Sequence, residues 1–135
     1  MEPLETLRQK IAEFPGYGGD VERRRSDEYV RSYLGEALSE LGARCKLADD
    51  VRARLDDLIL RVGFADPHAF VNHHIVAGNG PADGGGAVAA ADVETVELAD
   101  RAAGLDCAAA AAYFDDIATL LARRDAAIRA QSAMT

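Results

Sequence analysis

Cysteine is scarce in this chain, and what little there is carries no metal-binding spacing. Cys45 and Cys107 stand far apart with no C-x-x-C, which excludes both a multi-bridge disulfide framework and a zinc cluster. Two buried, inert thiols in a reducing compartment are the expectation, with Cys107 the more reactive if it opens a helix. No basic, apolar leader is visible either. Met1-Glu2-Pro3-Leu4-Glu5 places acids where a secretory signal has positive charge, so a cytoplasmic protein is expected. Long apolar runs are missing as well: the longest, Cys107 to Phe114, is mostly alanine and far short of the ~20 residues that cross a bilayer. No membrane span is expected. Positive charge is outweighed, 15 Lys plus Arg against 23 Asp plus Glu, for a net charge of −8 and a pI near 4.8. Such a surface repels phosphate backbones and anionic lipid, which argues against nucleic acid as a partner.

Catalytic signatures are also lacking. There is no H-E-x-x-H, no serine elbow and no Gly-Lys-Ser/Thr, and none of the three histidines follows a glutamate at the Glu-x-x-His spacing of di-iron bundles. Gly78-Asn79-Gly80-Pro81-Ala82-Asp83 has an acid where the third glycine of a dinucleotide fingerprint belongs, so it reads as a hinge.

What the chain does contain is helical periodicity. With 135 residues, 49% hydrophobic and 28% charged, it suits one ordinary domain. Leu4, Leu7, Ile11 and Phe14 recur at steps of three and four, ended by Pro15-Gly16-Tyr17-Gly18-Gly19. A second helix carries Val30, Tyr33, Leu34, Ala37, Leu38 and Leu41 on one face, with Gly42 as its stop; its start is at Asp20, the preferred position, or at Ser26, where a capping hydroxyl is followed by Asp27 and Glu28. A third, capped by Asp49 or Asp50, carries Val51, Leu55, Leu58, Ile59 and Val62 up to Gly63. Asp66-Pro67 suits the start of a short helix through Val76, although Phe70, Val71, Ile75 and Val76 equally suit a strand. Ala77 to Gly86 reads AGNGPADGGG. Asp92 and Asp106 are placed to cap two further helices, the first stopped by Gly104 and the second striped by Tyr113, Phe114, Ile117, Leu120, Leu121 and Ile128.

The expected fold is therefore all-α, a bundle of five or six helices with a glycine-rich hinge. Residues 1–76 form an N-terminal helical subdomain, 77–86 a linker, and 87–135 a C-terminal helical hairpin that packs back or docks on a partner chain. Acidity concentrates in the second half, with four bases against ten acids over 65–135. Alanine is abundant and Arg outnumbers Lys thirteen to two, both of which GC-rich coding produces.

Candidate sites follow from residue type. His68, His73 and His74 fall within seven residues, and His73 and His74 with Asp66 are the candidate ligands of a transition metal; adjacent histidines diverge by about 100° on a helix, which makes the geometry poor. Arg23, Arg24 and Arg25 form the densest basic cluster, and with Tyr17 they are the candidate interaction residues. Helical pairs such as Asp20 with Arg24 and Arg24 with Glu28 would neutralise that cluster. Tyr17 either projects from its glycine loop as a contact or folds back over Phe14 as a lid. Of the doublets Asp49-Asp50, Asp56-Asp57 and Asp115-Asp116, one member of each is expected to face water. Tyr33, Phe64 and Phe70 are candidate linings of a small-molecule pocket. The functional expectation is a non-enzymatic, cofactor-free interaction protein that dimerises or docks on a protein partner, with a metal or enzymatic site around His68, His73, His74 and Asp66 as the alternative.

Overall fold

The computed structural model describes residues 2–63 and 86–133, and within them the chain is all-α: five α-helices and no strand. They are α1 (Pro3–Lys10), α2 (Asp20–Arg44), α3 (Asp49–Gly63), α4 (Ala87–Arg101) and α5 (Ala110–Ala133). Two 3-10 turns, Ala102–Gly104 and Cys107–Ala109, join the last two helices. The proposed helix or strand at 66–76 and most of the 77–86 linker lie outside the described residues, as do Phe64 and Phe70.

Pro3 opens α1, where its missing N–H costs nothing. The helix ends earlier than its apolar stripe suggests, because Ile11 turns extended while its N–H still reaches the Leu7 carbonyl. Phe14 then folds in from the following loop and is buried. That loop turns on Gly16, whose φ of +97° is open to glycine and strained for other residues. Ser26 of α2 fixes it from both sides: the Gly16 amide donates to Ser26 Oγ at 3.1 Å, and the hydroxyl donates back to the Gly16 carbonyl at 2.6 Å.

Gly42 does not stop α2, which continues to Arg44. Its missing side chain serves packing instead: a Cβ there would lie 2.7 Å from Leu55 Cδ2, so glycine lets α3 come close. Asp92 is likewise not a cap. Helix α4 begins five residues earlier, and Asp92 sits buried inside it. Asp106 does cap, accepting from the Ala108 amide at 3.0 Å where the chain turns into α5.

Helix α4 packs against α1, α2 and α5, and α2 against α3, so the C-terminal helices fold back on the N-terminal ones. Two apolar clusters fill the interior. One joins Leu34, Leu38, Leu41, Leu55 and Leu58 to Phe114, Ile117 and Leu121. The other joins Leu7, Phe14, Tyr17 and Val30 to Val88, Val96 and Ile128. Each draws on both ends of the chain.

Cys45 and Cys107 are not separate thiols. Their sulfurs are joined, tying the C-terminal end of α2 to the turn before α5 across 62 residues of sequence. The spacing gave no hint of this because proximity here is created by the bundle. In a chain-entropy account, cross-linking a loop of this length stabilises the fold by about 4 kcal/mol. Reduction under native conditions is expected to lower the unfolding free energy by about 3–4 kcal/mol, measured by urea denaturation with and without a phosphine reductant.

Candidate functional site

Helix α2 has two chemically different sides. On the inner side charged groups are buried at successive turns: Arg23 and Asp27 are almost fully enclosed and Arg31 is partly so. Arg124, 3% exposed, reaches from α5 to bridge two carboxylates. Its Nε donates to Asp92 Oδ1 at 2.6 Å, and its Nη2 to Asp27 Oδ1 at 2.7 Å. Arg31 Nε meets the other Asp27 oxygen at 2.8 Å, and its Nη1 donates to the Val62 carbonyl at 3.1 Å. The Tyr17 hydroxyl donates to Asp92 Oδ2 at 2.5 Å. The 11–19 loop and α2 to α5 thus meet in one network.

Burial acts on three ionisable groups here, Tyr17, Asp92 and Arg124. It pushes the Tyr17 phenol far above its ordinary range, and the neighbouring Asp92 charge adds to that effect. Burial also raises Asp92, against the pull of Arg124 and the Tyr17 hydroxyl. It works against the charge on Arg124, but Asp92 and Asp27 outweigh it and keep the guanidinium protonated.

The interaction candidates are therefore divided. Tyr17 is only 3% exposed and stacks edge-on to Phe14 with ring centres 5.7 Å apart, which is the lid arrangement and not an exposed contact. Arg23 faces inward as well, and only Arg24 and Arg25 are exposed. The run of three arginines straddles the boundary between the faces, because consecutive helical residues differ by about 100°. Asp27, beside this run, pairs inward with Arg31 and Arg124. Both members of each Asp doublet, 49–50, 56–57 and 115–116, are exposed, with Asp115 meeting Arg54. The metal candidates Asp66, His68, His73 and His74 lie outside the described residues.

The outer side of α2 carries the surface features. Tyr33, Glu36, Ala37, Glu40, Leu41 and Arg44 form one wall of a groove of about 380 Å³, with Ala99 and Asp100 of α4 and Ala102 and Ala103 of the following turn opposite. A second groove of about 490 Å³ lies between α2 and α3, beside Ser32, Gly35, Ser39, Ile59 and Val62. Glu36 and Glu40 border both and form the crest between them. Both are exposed, and among the described residues neither has an ion-pair partner within 4 Å.

One end of the first groove is fixed by a three-helix relay. Tyr33 donates to Asp100 Oδ1 at 2.5 Å, and Lys10 of α1 meets Asp100 Oδ2 at 2.8 Å. Burial raises the Tyr33 phenol, with the bond to Asp100 adding to it, to about 12. Burial alone would raise Asp100, but the bonds from Lys10 and Tyr33 prevail and hold it below its ordinary value. At the other end, Arg44 donates to the Ala102 carbonyl at 2.8 Å. Sequence reasoning placed Tyr33 on the apolar face of α2 and in a candidate pocket, and missed Glu36, Glu40 and Asp100. The i, i+3, i+4 recurrence of 33, 36, 37 and 40 was the available signal, masked by its overlap with the core stripe.

No protein-family model, curated protein or solved structure matches this chain.

Two measurements check this description. Arg124→Met, which leaves Asp27 and Asp92 without their shared cation, is expected to cost about 3–5 kcal/mol in chemical denaturation, with part recovered when Asp92→Asn is added. In ultraviolet titration, the phenolate signal that Tyr33→Phe removes is expected to have its midpoint near 12, and to move down in Asp100→Asn. Because the folded state holds this proton more tightly, the stabilisation it gives is full below the ordinary phenol value of 10.0 and is lost as pH climbs through about 12.

Proposed function

We propose that this chain is a non-enzymatic helical interaction protein that docks a basic protein partner along the outer side of α2. The observation that carries the reading is the crest formed by Glu36 and Glu40, two exposed carboxylates with no ion-pair partner within 4 Å among the described residues, between grooves whose floors are apolar. Leu41, Ala99 and Ala102 floor the first groove, and Val62 lies in the second. A helix or extended segment with lysine or arginine beside a medium-sized apolar residue matches this surface in charge and shape.

Self-association through the same face is disfavoured, because a two-fold contact would bring the crests of Glu36 and Glu40 together on a chain of net charge −8. The large apolar side chains most exposed among the described residues are Val21 and Leu60, which stand singly. Docking by charge with shallow apolar insertion is accordingly favoured over docking on a broad greasy patch. The described helices include none long and apolar enough to cross a membrane, consistent with a partner met away from the bilayer interior. In a cytoplasmic setting the Cys45–Cys107 bond meets reducing thiols and is an exchangeable cystine.

A synthetic amphipathic peptide of leucine and lysine is the test ligand, and the same peptide with glutamate for lysine is the control. Calorimetry is expected to show binding of the first only, weakened at least tenfold by the double substitution Glu36→Lys and Glu40→Lys and by raising salt from 50 to about 500 mM. Binding unchanged by the charge reversal, or equal for both peptides, overturns the proposal. A concentration-dependent dimer in sedimentation that the reversal abolishes would replace it with self-association.

A further inference from the structure

The two sulfurs of the cystine sit in unlike surroundings. Cys45 is 4% exposed and belongs to the apolar cluster of Leu38, Leu41 and Leu55, at the C-terminal end of α2 where the helix dipole opposes a thiolate. Cys107 is partly exposed. The Arg44 guanidinium lies against it, with Nη1 donating to Cys107 Sγ at 3.8 Å. Arg44 does not depend on the disulfide for its position, since its Nη2 is also held by the Ala102 carbonyl. Of the other charges close by, Asp106 turns its carboxylate to the Ala108 amide and Lys46 follows Cys45 in the chain.

From this asymmetry we infer that Cys107 and Cys45 form a thiol–disulfide exchange site in which Cys107 is the attacking thiol, Arg44 stabilises its thiolate, and Cys45 resolves. The co-reactant is a small-molecule disulfide. In the reduced protein the Cys107 thiolate attacks one sulfur of that disulfide, a bond forms between them, and the other half leaves as a thiolate. Cys45 then loses its proton to solvent and attacks Cys107 Sγ. The mixed disulfide breaks, the second half leaves as a thiolate, and Cys45–Cys107 is formed. Two protein thiols are oxidised and one small-molecule disulfide is reduced to two thiols. A cation beside a thiol favours the anionic, nucleophilic form, whereas an apolar site opposes it, so the order of attack follows from the surroundings. The exchange needs no occupant on α2, although Arg44 also lines the first groove.

The probe is glutathione disulfide, added to wild-type protein that has been reduced with a phosphine and desalted. The first adduct, trapped by acid quench and mapped by mass spectrometry, is expected on Cys107. Cys45→Ser should accumulate a stable Cys107 adduct, and Cys107→Ser should react at least tenfold more slowly. In Arg44→Met the pH midpoint for Cys107 alkylation by iodoacetamide should move up, and Arg44→Lys should restore part of the shift. A first adduct on Cys45, equal rates at both sulfurs, or an unchanged pH midpoint in Arg44→Met overturns the assignment. The mapping and alkylation of reduced wild-type protein need no variant, so a failure of either serine substitution to fold leaves the order of attack measurable.

Discussion

Arg124 comes from the last helix and ends between Asp27 of α2 and Asp92 of α4, with almost no water around it. Side chains from three helices, at positions far apart in the sequence, are thereby brought to one point. Apolar stripes tolerate sliding by fractions of a turn, because leucine for leucine costs little. A guanidinium with two carboxylates does not, because removing charges from water costs several kcal/mol per ion unless each finds its partner in good geometry. The rotation of α2, α4 and α5 about their axes is accordingly set by this cluster, and the leucine clusters pack around it.

With the inner face of α2 committed to Arg23, Asp27 and Arg31 near its start and to Leu34, Leu38 and Leu41 farther on, its outer face at Ser32, Glu36, Ser39 and Glu40 is left to solvent. The same helix thus positions the bundle and presents the acidic crest. The relay from Lys10 through Asp100 to Tyr33 couples the two roles, since it joins α1 and α4 to the rim of the groove.

Much of the architecture was legible in the residues. Leu55, Leu58 and Val62 marked α3, Asp20 was the preferred of two starts for α2 and is the one observed, and the all-α class followed from spacing alone. The failures share one physical cause. Asp92 looked like a cap and Gly42 like a stop because both residue types favour helix ends; each sits inside a helix for a reason supplied by a distant partner, Arg124 in one case and Leu55 in the other. The union of Cys45 with Cys107 was hidden in the same way. Of the candidate site, Tyr33 was visible as an aromatic, but the crest and Asp100 were not, since exposed carboxylates look alike until a groove runs beside some of them. Tyr17 was divided between two courses that its glycine neighbours allow, and the choice between them rests on Asp92, 75 residues away.

Tyr17 closes the ion cluster from the side of the irregular 11–19 connection, which is itself held by the Ser26 hydroxyl and by the Arg8 guanidinium on the Phe14 and Pro15 carbonyls. Hydration of the molecule's most costly charges is therefore governed by the least regular stretch near its start. Stiffness of the three central helices comes to depend on whether one short stopper stays seated.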